Sequence, residues 1–202
     1  MTVERDLRVC FFGDSYVAGI GDSTALGWTG RVTAAALARG LPLTSYNLGV
    51  RRDTSILVGR RIASEGAPRL RPATDPRVIL SFGVNDTDLE DAAPRATTAQ
   101  TLAAFQSMQD ALVAPLLLVG PPAVTDEAHN ERLHALDVEL EAAAERAHVP
   151  YVTTFTSTSE NEIWREEVRR GDHFHPDAGG YAALAGLVQG PILEWLGTEI
   201  RR

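Results

Sequence analysis

The chain contains no lysine. All 19 basic residues are arginine, which removes Schiff-base chemistry through a lysine amine and otherwise reads as a bias of genome composition. Cysteine is almost as scarce. Cys10 stands alone, so an intramolecular disulfide and a cysteine zinc cluster are both excluded. Its place inside an apolar run reads as a small core side chain. No apolar run approaches the roughly 18 residues that a membrane span requires. The charged opening Met1-Thr2-Val3-Glu4-Arg5-Asp6 does not have the pattern of a secretory leader. The expectation is a soluble, cytoplasmic protein. Positive charge is in deficit as well. A net charge of −8 argues against nucleic acid or an anionic membrane as partner, because phosphate recognition needs a basic face. Internal repeats, low-complexity tracts and linkers are also missing. The 202 residues are therefore read as one domain over 1–202, long enough for a full core and short for two.

What the sequence does have is a regular alternation of two hydrophobic periods. Continuous apolar runs predict strands over 7–13, 43–48, 77–82, 115–120 and 151–155. Between them, apolar residues at helical spacing predict helices over 27–39, 54–67, 97–112, 126–148 and 178–196. Trp28, Val32, Ala35, Ala36 and Leu37 form one such stripe, and Leu133, Leu136, Leu140 and Ala144 another. Thr54 or Asp53 is the expected cap of the second helix, and Pro68 and Pro72 are expected to break the chain after it. The polar connection 156–170 holds a short helical piece near 160–169. Strand–helix alternation of this kind predicts an α/β fold with a parallel sheet covered on both faces.

The expected strand ends carry small and polar residues. Strand one stops at Gly13-Asp14-Ser15, strand two at Asn47-Leu48-Gly49-Val50, and strand three at Gly83-Val84-Asn85-Asp86. The carboxyl edge of such a sheet is where ligands bind. A serine there needs a base, a group that orients the base, and donors for an oxyanion. Gly171-Asp172-His173-Phe174-His175-Pro176 precedes the last helix. In a tight turn Asp172 can reach the His175 ring three residues on, leaving the other ring nitrogen to take a proton from Ser15. The N–H groups of Ser15 and Gly49 and the Asn85 amide are the candidate oxyanion donors.

These blocks, in this order and spanning nearly the whole chain, resemble the SGNH hydrolases, also called GDSL esterases and lipases. The resemblance implies a three-layer α/β/α sandwich around a five-stranded parallel sheet, a flavodoxin-like SGNH hydrolase fold. It implies Ser15 as nucleophile, His175 as base and Asp172 as orienter, with Ser15, Gly49 and Asn85 as the oxyanion hole. It implies a serine esterase acting on a small-molecule carboxylic ester or thioester, with no cofactor and no metal. The lack of a long exposed apolar segment resembling a lid favours short acyl groups. Asp14, Val50, Trp164 and Phe174 are the expected lining of the substrate pocket, Asp14 also steadying the loop beside Ser15.

Rival readings accompany these residues. Gly21-Asp22-Ser23 repeats the nucleophile triplet, but it follows no apolar run and reads as loop. Asp172, His173 and His175 together are also a possible ligand set for a metal-dependent hydrolase or phosphoesterase. An acyltransferase would use the same acyl-enzyme with another acceptor, and a binding module would not need Ser15, Asp172 and His175 together. His129, His134 and His148 read as surface residues of the long helix. Arg51 and Arg52 could meet an anionic substrate, although exposed arginines are usually just solvated.

Overall fold

The computed structural model describes residues 5–198; Met1-Thr2-Val3-Glu4 of the charged opening and residues 199–202 lie outside the described residues. The chain runs β1 (Leu7–Gly13), α1 (Ser15–Ala18), α2 (Gly27–Ala38), β2 (Thr44–Gly49), α3 (Ser55–Leu70), β3 (Asp75–Ser81) and α4 (Val84–Thr87). A hairpin, β4 (Leu89–Glu90) and β5 (Ala93–Pro94), then leads to α5 (Thr98–Ala111), β6 (Leu116–Val119), α6 (Glu127–Arg146) and β7 (Tyr151–Val152). The chain continues through α7 (Phe155–Glu160), α8 (Glu162–Arg170) and α9 (Ala178–Gly197). Five strands form one parallel sheet in the order β2-β1-β3-β6-β7.

The pleat sends alternate residues of each strand to opposite faces. Val9, Phe11, Ile79, Leu117 and Val119 join Trp28 and Val32 of α2 and Tyr181, Leu184 and Val188 of α9 in one core. Cys10, Phe12, Val78, Leu80, Leu116 and Leu118 join Val58 and Ile62 of α3, Phe105 of α5 and Leu140 of α6 in the other. Both faces are thus apolar, which is why the strands read as continuous hydrophobic runs. This is the three-layer α/β/α architecture expected from the sequence.

Several local expectations are corrected. Helix α3 runs through Pro68 to Leu70, because Leu70 is buried and its packing holds the last turn. Thr54 is the N-cap residue of α3, as expected, but the side-chain acceptor at that end comes from across the molecule. Thr54 makes no side-chain cap bond; the Ser55 N–H donates to the Asp86 carboxylate at 3.0 Å, and Thr101 Oγ1 donates to the same group at 2.8 Å. Strand β7 is two residues long because Thr154 turns its hydroxyl onto Gly120 O at 2.8 Å and Phe155 starts a helix. Leu37 lies outside the α2 stripe and is exposed. The connection 156–170 is mostly helical, with Asn161 capping α8 through the Trp164 N–H at 2.8 Å.

Candidate active site

Gly13, Gly49 and Ser81 lie side by side where β1, β2 and β3 end. A β-carbon on Gly13 would lie 2.0 Å from Ser81 O, so only glycine fits. Asp14 then caps α1 by accepting from the Tyr16 N–H at 2.9 Å. This puts Ser15 at the first position of a one-turn helix, at the carboxyl edge of the sheet.

The loop between α8 and α9 brings the partners. Asp172 accepts from the backbone N–H groups of Phe174 at 3.1 Å and His175 at 2.8 Å. Its other oxygen lies 2.7 Å from His175 Nδ1. Beside a carboxylate, Nδ1 carries the proton, which leaves the Nε2 lone pair free. Nε2 lies 2.7 Å from Ser15 Oγ and accepts its proton. The Tyr16 hydroxyl donates to Phe174 O at 2.6 Å, and its ring centroid lies 5.0 Å from that of His175. Carboxylate, phenol and backbone together hold the imidazole in one orientation.

The three acids around the site differ in their surroundings. Burial disfavours the Asp172 carboxylate, but the bonds from the His175 N–H and ring outweigh it, and its pKa is lowered. Asp14 is fully enclosed. Burial, reinforced by the negative charges of Asp86 and Asp53, pushes its pKa up to about 7 against the bonds from Tyr16 and Asn85. Burial also raises the Asp86 pKa despite the bonds from Ser55 and Thr101.

Ser15 opens into a cavity of about 240 Å³ walled by Arg51, Arg52, Asn85, Asp88, Phe174 and His175. A wider hollow of about 620 Å³ between α6 and α8 has no histidine in its lining. Of the expected lining residues, Phe174 faces the cavity. Trp164 is buried behind it, stacked on Tyr16 at 6.1 Å and donating from Nε1 to Ala123 O at 2.8 Å. Asp14 is buried beneath Ser15. Val50 is exposed, and its N–H donates to Gly13 O at 3.0 Å. None of these three belongs to the cavity wall.

The expected oxyanion donors are in different situations. The Ser15 N–H has no acceptor among the described residues. Asn85 Nδ2 lines the cavity and donates to Asp53 O at 3.0 Å and to Asp14 Oδ2 at 3.3 Å. Gly49, like Asn85, is hydrogen-bonded in this structure. Its N–H donates to Asn47 Oδ1 at 3.0 Å, and a β-carbon there would lie 2.2 Å from Ala18 N. Gly49 is glycine because α1 packs against it. The segment that walls the cavity on that side is Arg51–Arg52, beginning two residues further on.

Among the described residues no group of three or more His, Cys, Asp or Glu side chains is arranged to hold a metal ion. In the Asp172, His173 and His175 cluster, both Asp172 oxygens and both His175 nitrogens are engaged with one another or with Ser15. No helix among the described residues is long and apolar enough to cross a membrane.

His129 was expected at the surface and is buried. Its Nε2 lies 2.9 Å from Thr87 Oγ1 and 3.1 Å from Val84 O, which braces α4 behind Asn85. Burial lowers its pKa. The signal was present: 129, 133, 136 and 140 share one helical face.

The family model described as the GDSL-like lipase/acylhydrolase family matches residues 11–183. No curated protein sequence matches the chain. Among solved structures, the chain is similar to a lipase/acylhydrolase from Enterococcus faecalis, with a TM-score of 0.77 and 20% identity over 96% of this chain and 100% of that one. It is similar to a variant of an acetyl-xylooligosaccharide esterase from Geobacillus stearothermophilus, with a TM-score of 0.71 and 18% identity over 100% and 99%. It is also similar to the psychrotrophic esterase EstA from Pseudoalteromonas sp., with a TM-score of 0.71 and 16% identity over 96% and 100%. At these identities the likeness establishes the fold.

Proposed function

The chain belongs to the GDSL-like lipase/acylhydrolase family of carboxylic ester hydrolases, and on that premise we propose that it cleaves small esters or thioesters with Ser15 as nucleophile. The observation that carries this reading is the unbroken relay of 2.7 Å bonds from Ser15 Oγ to His175 Nε2 and from His175 Nδ1 to Asp172. Ser15 Oγ attacks the acyl carbonyl while His175 takes its proton. Asp172 steadies the imidazolium that forms. The oxyanion is held by the N–H groups of Ser15 and Gly49 and by Asn85 Nδ2, whose 3.3 Å bond to Asp14 is the weaker of its two. One such donor is worth about 3 kcal/mol in the transition state. The tetrahedral intermediate collapses, and the alcohol or thiol leaves with the proton from His175. Water then attacks the acyl-enzyme with His175 again as base, and the carboxylic acid is released.

A 240 Å³ cavity suits a small acyl group. The acetyl-xylooligosaccharide esterase among the structural neighbours is named for an acyl group of that size. The test is hydrolysis of 4-nitrophenyl acetate, butyrate and octanoate by the wild type, Ser15→Ala and Ser23→Ala, each with and without EDTA. Turnover that survives EDTA, falls from acetate to octanoate, and drops by about 10⁴-fold or more in Ser15→Ala only is the expected result. Activity kept by Ser15→Ala would remove Ser15 from the mechanism.

A further inference from the structure

We propose that the Ser15 cavity selects esters that carry a carboxylate, which Arg51 and Arg52 bind; this rests on the assignment of Ser15 as nucleophile. Both arginines wall the cavity that holds Ser15 and His175. Neither guanidinium has an ion-pair partner among the described residues, whereas Arg31, Arg61 and Arg77 are paired with Asp22, Asp53 and Asp75. Of the carboxylates nearby, Asp172 is bound to His175 and Asp53 to Arg61; Asp88, on the same cavity wall, accepts the Leu89 N–H at 3.0 Å and forms no ion pair with either arginine.

The backbone carries a second, independent sign. Arg52 has φ +69°, in the left-handed region where a side chain is strained and glycine is not. Strain of this kind persists at binding sites, where the surrounding structure enforces it. Here Arg95 enforces it by donating from Nη2 to Arg52 O at 3.0 Å. Its other terminal nitrogen, Nη1, is buried with no hydrogen-bond partner among the described residues. A third guanidinium therefore backs the bend, with its charge felt by the buried Asp86 carboxylate. In a chain of net charge −8, Arg51 and Arg52 are two cations without ion pairs among the described residues at the mouth of the nucleophile's cavity, the arrangement that draws in an anionic substrate.

The experiment compares kcat/KM within two matched pairs of esters. In one pair the acyl half carries the charge: mono-4-nitrophenyl glutarate against 4-nitrophenyl butyrate. In the other the leaving alcohol carries it: 4-acetoxybenzoate against phenyl acetate. The expected result is a preference of about tenfold for the charged ester in one pair, which identifies the half that meets the arginines. The preference should shrink at about 1 M salt, where the screening length is about 3 Å. It should also fall toward unity in Arg51→Gln/Arg52→Gln and return in Arg51→Lys/Arg52→Lys. Reading a ratio within each variant cancels any change in folding or basal rate. No preference in either pair, or a preference that the Gln variant keeps, overturns the proposal while neutral-ester turnover leaves the Ser15 mechanism standing. Failure of the wild type on all four esters overturns both.

Discussion

The tripeptide Gly-Asp-Ser occurs twice, eight residues apart, and the two copies do opposite things. Gly13-Asp14-Ser15 ends a buried strand, whereas Gly21-Asp22-Ser23 sits in a loop. Ser15 is buried against the His175 imidazole; Ser23 is exposed, and its N–H donates to Asp177 at 2.9 Å. Asp14 has no ion-pair partner among the described residues, and enclosure pushes its pKa up to about 7. Asp22 is also buried, but Arg31, Thr24 and the Gly27 N–H surround it and bring its pKa down to about 2. The first copy offers a hydroxyl to a base. The second pins the loop that carries the base: Gly21 abuts His175 and Pro176, and Ser23 holds the cap of α9. Three letters of sequence carry no chemistry until the preceding strand and the facing charges are known.

The largest difference is expected between the two glycines. Gly13→Ala places a methyl 2.0 Å from Ser81 O and 2.5 Å from Val17 Cγ2. The obstacle is backbone in the middle of the sheet, where it has nowhere to move. The expected loss is about 3 kcal/mol or more, seen as a collapse of Tm or of soluble yield. A variant that melts within a few degrees of the wild type would show that β1 and β3 can separate at this edge.

The same distinction decides what was legible in the sequence. Strand ends were legible because a residue covered on both faces has to be apolar, and the break at Gly13 or Gly83 is abrupt. The spacing of Asp172 and His175 was legible because a three-residue turn is local. The packing at Gly49 was not, because glycine for close packing and glycine for an open N–H look alike in one dimension; only the 2.2 Å approach to Ala18 shows the packing. Thr54 was legible as the N-cap of α3, but the acceptor of the Ser55 N–H was not, because Asp86 lies 31 residues away. Trp164 read as a wall of the cavity because the partner that buries it, Tyr16, comes from the far end of the chain. Nothing in the letters Arg51-Arg52 announces a left-handed backbone.

The two aspartates sharpen the comparison through pH. Asp14 binds its proton more tightly folded than unfolded, where an aspartate titrates near pH 4. Its contribution to stability is therefore fully present below about pH 4 and is lost as pH rises through about 7. Asp22 runs the other way. Its contribution is present above about pH 4 and is lost as pH falls through about 2. Thermal melts of the wild type, Asp14→Asn and Asp22→Asn from pH 2 to 8 test this. The wild type should lose ground to Asp14→Asn by about 2 kcal/mol between pH 5 and 8. Its advantage over Asp22→Asn should stay level there and shrink only in acid. Two difference curves of the same sign would remove the electrostatic contrast between the triplets.

The smallest effect is expected at Gly21, and it bears most directly on what the second copy is for. A β-carbon there meets Pro176 O at 2.6 Å and His175 Cβ at 3.1 Å, at a backbone φ of +92°. The obstacle is again backbone, but it lies in the loop before α9 and not between two strands of the sheet. The strain costs about 1–2 kcal/mol, or a few degrees of Tm. Relieving it, however, displaces His175 from a bond of 2.7 Å to Ser15, and the proton transfer depends on that distance. Gly21→Ala should therefore lower kcat several-fold with KM for 4-nitrophenyl acetate nearly unchanged. A drop in Tm with kcat intact would mean that the Asp172 turn and Tyr16 hold the imidazole without help from this loop. The second triplet would then be a surface turn with no part in placing the base.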